Sequence, residues 1–447
     1  MNKRRDISFT QGNIITSILL FSLPIIAGEL LQNLYNSVDS LVVGNFVGPA
    51  ALAAIGVCGT LTQLLVGFFV GMSIGSTVVV SKAFGRGIEE DVQRSIRYTF
   101  TFSTCFGVVL SLVAILLSPL LLRVSGANQE VFSEALLYFR IYLVGLPFTV
   151  TYNSGAGALR ALGDSQSPFL ALALTSVINV ALDLLLTGLL RMGIVGVAVA
   201  TVISQGISVA FICHRLRCRI GGRCFALKET FSQGKPILAE AFNIGFWAGI
   251  QSALISFSNL FVWRYINRFS TLQVAGVSIA TRVDKFVNLP IKAYGMAMVT
   301  LVGQNRGRQN GARIREGIWR CVWLSLLTWV LFGVVIYLGA PRIAAIFNRE
   351  ETVIETAVAF MHTLIPFYCV MAMREILLGV LRGFGRSTGP MVVTLIGMVG
   401  IRQLYLYLVM RPGADIRLLF YGYPLGWLSA TILLLIYVLI IRKKLQV

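Results

Sequence analysis

Long apolar runs recur from one end of the chain to the other, each broken by a short polar or charged stretch. Twelve are long enough to cross a bilayer as helices, roughly 14–43, 50–80, 95–119, 131–158, 168–189, 194–213, 236–264, 274–302, 317–339, 353–380, 390–410 and 418–441. The runs are continuous rather than alternating, so a transmembrane β-barrel is excluded. Several exceed the spanning minimum, which implies tilt or helix ends projecting beyond the lipid.

One run interrupts its own pattern. Leu172 to Leu186 is apolar except for Thr175, Ser176, Asn179 and Asp183. Residues four apart share a helix face, so Asn179 and Asp183 look into the same space. An ionised Asp at the centre of a membrane helix costs ~2.5–3.5 kcal/mol on insertion scales, and such residues mark functional sites by default. The alternative is a structural polar contact between helices.

Composition agrees with the pattern. Of 447 residues, 56% are hydrophobic and 13% charged, and the mean hydropathy is +0.79. A soluble domain carries about a quarter charged residues. The formal net charge of +19 would suit a nucleic-acid binder, but the placement of the basic residues argues otherwise. They crowd into alternate loops: Lys3, Arg4 and Arg5; Lys82, Arg86, Arg94 and Arg97; Arg160; Arg215 to Lys235; Arg306 to Arg320; Arg382 and Arg386; Arg442 to Lys444. The positive-inside rule then predicts both termini in the cytoplasm, and an even number of spans agrees. No nucleic-acid partner is expected; the bilayer is. The basic N-terminus is followed by an apolar stretch too long for a signal core, so no cleavable signal is predicted. The seven cysteines are scattered, and Cys218, Cys224 and His214 have poor spacing for a metal.

The chain is an internal duplication. Gly163 matches Gly385, Gly85 matches Gly307 and Ala54 matches Gly276, each pair 222 residues apart. The predicted organisation is a six-helix lobe over 1–213, a basic connecting loop over 214–235 and a second six-helix lobe over 236–447. Six spans per repeat keep both lobes in the same orientation. The fold class is therefore all-α and polytopic, with twelve transmembrane helices in two pseudo-symmetric six-helix bundles.

The halves differ in chemistry. At the common offset Asn179 and Asp183 correspond to Ile401 and Tyr405, with Arg402 and Gln403 nearby, and Asp39 corresponds to Phe261. Glu29, Gln32 and Asn36 on the first span and Asn153 on the fourth are further candidates for a cavity. The second half offers Arg282, Asp284, Lys285 and Lys292 in span eight and Arg374 with Glu375 in span ten. These charges either face a substrate or pair with one another.

The segment from Ser22-Leu23-Pro24 to Asp39 is one of several that resemble the multidrug and toxic compound extrusion (MATE) family. The others are Gly44 with Ala51 to Gly56, Ser81 to Gly87, Leu159 to Pro168, Ile178-Asn179 to Asp183, and Val302 to Gly307. The resemblance covers essentially the whole chain and rests on order, spacing and repetition rather than on one motif. It implies a V-shaped pair of six-helix bundles that performs cation-coupled efflux by alternating access. In the bacterial subgroup similar to the DNA-damage-inducible F (DinF) proteins, the coupling site lies in the N-terminal lobe. There the resemblance implies roles for Asp39, Asn179, Asp183 and a span-four tyrosine, either Tyr142 or Tyr138. Other subgroups also carry acids in helices 7 and 10; here Glu240 begins span seven and Glu375 lies in span ten.

The expected mechanism follows from electrostatics. Clustered carboxylates in a low-dielectric site repel each other, which prepares one of them to take a proton or draws in Na⁺ with the Asn179 carbonyl as a further oxygen ligand. Neutralising the pair is expected to let the first helix bend near Pro24 and expel an amphipathic, cationic small molecule. No cofactor is expected beyond H⁺ or Na⁺, and the expected form is a monomer in a bacterial plasma (inner) membrane. A flippase of lipid-linked or anionic substrates shares the architecture and would use Arg282, Lys285 and Lys292. A channel would need a repeated pore loop. An enzyme would need a catalytic pair, and His214 and His362 have none in view.

Overall fold

The computed structural model describes residues 7–126 and 128–445; Lys3, Arg4 and Arg5 lie outside the described residues. Among the described residues eleven helices are long and apolar enough to span a membrane, and a bent pair, taken as one span, makes twelve. In chain order they are α1 (Ile14–Phe46), α2 (Ala51–Arg86), α3 (Glu89–Val124), α4 (Gln129–Val144 with Leu146–Ala161), α5 (Gln166–Leu189) and α6 (Gly193–Ile220). The second half supplies α7 (Lys235–Ile266), α8 (Thr271–Gly307), α9 (Gly311–Phe347), α10 (Glu351–Gly383), α11 (Thr388–Val409) and α12 (Ile416–Arg442). No strand occurs among the described residues.

Local chemistry sets the boundaries. α2 stops where Gly87 adopts the left-handed conformation (φ 77°), which glycine enters without steric cost. Glu89, Glu90 and Asp91 fill the first turn of α3, where the helix dipole favours negative charge. α8 opens on a capping box between Ser270 and Gln273. α4 bends by 43° at Gly145, just ahead of Pro147, whose ring cannot continue the helical ladder. Pro24, by contrast, lies inside the continuous α1.

The chain forms two compact units. The first holds Leu23–Gly249 with Ile7 and Ser8; the second holds Phe9–Ser22 and Ile250–Val447. The division therefore differs from a cut through the basic stretch, and α6 itself continues into that stretch as far as Ile220. Each unit includes the opening turns of the other half's leading helix.

The contacts within each unit explain why. In the first, Gly71 and Gly75 of α2 face Ala241, Gly245 and Gly249 of α7 so closely that a Cβ on Gly75 would sit 1.9 Å from the Ala241 carbonyl oxygen. Glycines four apart permit such backbone approach. Lys82 and Glu240 close the same seam with a 2.8 Å ion pair. In the second unit, buried Phe9 donates its amide to Gln304 Oε1 at 3.1 Å, and its carbonyl accepts from Asn305 Nδ2 and Arg313 Nε. Arg313 also donates to the Gly12 carbonyl.

α8 forms the centre of the second unit, with 83% of its apolar window buried, and packs on α9 and α10. α2 plays the corresponding part against α3 and α4. Large apolar side chains such as Leu116, Leu338 and Ile346 remain exposed on the outer helix faces, as a lipid solvent allows.

Candidate functional site

α1 and α5 bring together the acids that the sequence separates by more than a hundred residues. Asn179 and Asp183 occupy successive turns of α5 and are buried, with Asp183 at 0% exposure. Asp39, half-buried on α1, comes within hydrogen-bonding reach of Asp183. Asp39 Oδ1 and both Asp183 oxygens are buried with no hydrogen-bond partner in the protein. Both ends of the Asn179 amide are likewise unpartnered. Native interiors satisfy nearly all such atoms, so four unpartnered acceptors and one unpartnered donor at one place mark a candidate site.

Around this pair the structure places residues that periodicity left open. Tyr138 is buried and stacks on Tyr142, with centroids 6.4 Å apart and planes 24° from parallel. Tyr138 interacts electrostatically with both Asp39 and Asp183, whereas Tyr142 faces Gln205 of α6. Tyr35, one turn before Asp39 on α1, interacts with both acids and both tyrosines. Sequence reading missed Tyr35, and it also missed Thr187, whose buried hydroxyl follows one turn after Asp183 and has no partner. The spacing of four that singled out Asn179 would have found both. Directly after Asp183 the helix widens to a π-turn over Leu184–Leu189, an irregularity frequent at functional sites.

The other candidates lie apart from the pair. Glu29 interacts with Arg160, ten residues and ~15 Å along α1 from Asp39. Gln32 and Asn36 are exposed, and Asn153 donates to the Thr149 carbonyl of its own helix at 2.8 Å. In the second unit both Asp284 oxygens are engaged: Oδ1 accepts from the Tyr368 hydroxyl at 2.6 Å and Oδ2 from Asn288 Nδ2 at 2.9 Å. Arg282, Lys285 and Lys292 are exposed, and the two lysines act on Asp284. Glu375 pairs with Arg374 at 2.6 Å, and Glu240 with Lys82. Of these candidate acids, Asp39 and Asp183 are the two with no cation beside them. Among the described residues no three Asp, Glu, His or Cys side chains gather as metal ligands.

Twelve spans with buried acids between the helices of one half define a polytopic membrane protein with a polar interior. The MatE family model matches residues 24–185 and again 248–408, once in each half, and the chain belongs to this family of transporters rather than to any enzyme class. It is similar to the probable multidrug resistance protein YoeA of Bacillus subtilis, 26% identical over 445 residues, covering 98% of this chain and 96% of the relative. The probable multidrug resistance protein NorM of Thermotoga maritima is also 26% identical, over 85% of this chain and 82% of its own. A crystal structure of a MATE in the bent conformation superposes with a TM-score of 0.90 at 22% identity, covering 99% of this chain and 98% of the other.

Proposed function

We propose that this protein is an antiporter of the DinF-like type, exporting amphipathic, cationic small molecules in exchange for H⁺ or Na⁺ by alternating access. Asp39 and Asp183 carry the coupling ion, Asn179 supplies a carbonyl ligand, and Tyr138 with Tyr35 lines the site. The observation that carries this reading is the buried Asp39–Asp183 contact with no donor from the protein. A proton or Na⁺ neutralises the pair and allows the two helices to approach; loss of the ion restores repulsion and separates them. Differential affinity for the ion in two conformations is what turns a gradient into transport. The multidrug names of the relatives and the adaptable Met, Phe and Tyr content support a broad specificity. The concentration of arginine and lysine in alternate loops supports both termini on the cytoplasmic side, and the bacterial relatives support a plasma-membrane location; the proposed form is a monomer.

The test is uptake of a fluorescent organic cation into inside-out vesicles under an imposed H⁺ or Na⁺ gradient. Gradient-driven uptake by the wild type is expected, with loss in both Asp39→Asn and Asp183→Asn at unchanged membrane content. Full coupling in either variant would refute the role given to the pair. Uptake of lipid-linked or anionic substrates alone would favour the flippase reading.

A further inference from the structure

The second unit buries two guanidinium groups, and only one of them has a carboxylate partner. Arg402 of α11 is 2% exposed and Arg374 of α10 is 4% exposed. Arg374 donates through Nη2 to Glu375 and through Nη1 to the Met398 sulfur at 2.8 Å, a thioether being a weak acceptor. Arg402 follows Met398 by one turn and donates Nη2 to Ser258 Oγ at 2.7 Å. Its guanidinium lies 5.8 Å from the Tyr423 ring centroid. The Nε atoms of both arginines are buried and have no acceptor.

The surrounding carboxylates do not make up the deficit. Glu375 is engaged by Arg374, and both oxygens of Asp284 accept from Tyr368 and Asn288. Arg382 adds a third cation, which donates to buried Gln251 rather than to an acid and interacts with Glu375 and Arg374. Arg374 and Arg402 lie close enough to repel each other. An arginine cannot shed its charge to relieve such burial. An unpaired buried cation is strongly unfavourable, and an acceptor of opposite charge removes both the repulsion and the two orphaned donors.

We propose that Arg374 and Arg402 hold a small anion, a halide or the carboxylate of an organic molecule, beside Ser258 and Met398. The π-turn over Ile396–Ile401, directly before Arg402, sets the guanidinium out of ordinary helical register on the face that meets Ser258. Arg402 and Ser258 are the selective groups, one supplying charge and the other a hydroxyl that can turn its hydrogen to the anion. The site is independent of the acid pair in the first unit and stands whichever cation that pair couples.

The experiment is thermal unfolding of the full-length protein in detergent, titrated with sodium chloride, sodium formate or the sodium salt of a bulky naphthalenesulfonate at matched ionic strength. Chloride or formate is expected to raise Tm saturably, with the bulky sulfonate, neither halide nor carboxylate, as the inert reference. Arg402→Gln should abolish the response and Ser258→Ala should raise its midpoint several-fold, while Arg320→Gln on the exposed face of α9 leaves it unchanged. A response to chloride alone identifies a halide site; a response to formate identifies a carboxylate site. Equal Tm in all three salts overturns the proposal. So does a full response retained in Ser258→Ala, a variant that remains informative should Arg402→Gln fail to fold.

Discussion

α5 and α11 are the same helix of the repeat, yet they bury opposite charge. α5 presents Asn179 and Asp183 to Asp39 of α1, and the polar atoms of Asn179 and Asp183 are left without hydrogen-bond partners. α11 carries Ile401 and Tyr405 at the matching positions and presents Arg402 to Ser258 of α7 instead. Both helices widen into a π-turn, after the acid in α5 and before the arginine in α11. A duplicated scaffold thus holds two polar interiors of different chemistry. The acids of the two halves show the same contrast: each Asp284 oxygen accepts a hydrogen bond, whereas neither Asp183 oxygen does.

That contrast can be broken at several points. The largest effect is expected from the glycine seam between α2 and α7. Gly75→Leu would force a side chain into the Ala241 carbonyl, and the second unit has Ala297 at the matching position. Overpacking against backbone should cost more than ~3 kcal/mol, so gel filtration of the detergent extract should return aggregate and no monodisperse peak. Monodisperse, fully active Gly75→Leu protein would contradict the close approach of α2 and α7.

Next in size, Asp183→Asn should lower gradient-driven transport at least tenfold while Tm stays level or rises, because a buried unpaired charge has been removed. A matching fall in Tm would instead identify Asp183 as a structural residue. Asp284→Asn should behave in the opposite way. Transport coupling persists, but Tyr368 and Asn288 exchange a charged acceptor for a neutral one, at a cost of ~1.5 kcal/mol read by thermal unfolding. Coupling lost at unchanged Tm would move Asp284 into the ion path. The smallest effect belongs to Lys82→Met. Its ion pair with Glu240 is partly exposed, with side chains 23% and 35% accessible, so the loss should stay below ~1 kcal/mol. A shift of several kcal/mol there would make the pair, rather than the glycines, the main tie of that seam.

The limits of sequence reading follow the distance over which each signal acts. Apolar runs of spanning length, the 222-residue repeat and the shared face of Asn179 and Asp183 are local or periodic properties, and they were legible residue by residue. A rule of four along each helix would have extended the site to Tyr35 and Thr187. No periodicity could tell that Tyr138 rather than Tyr142 interacts with both acids, that Glu29 turns to Arg160, or that Asp284 is already engaged by Tyr368.

By itself, then, the sequence determined a duplicated twelve-helix membrane protein with an acidic face in its first half, because hydrophobic length and helical pitch are written along the chain. The tertiary structure alone decided that Asp39 meets Asp183, that Arg402 finds a hydroxyl where a carboxylate would be expected, and that each unit takes in the first turns of the other half's leading helix. Those outcomes depend on how helices pack sideways, where the partners are far apart in the chain and the energy of a buried charge depends on which side chain reaches it.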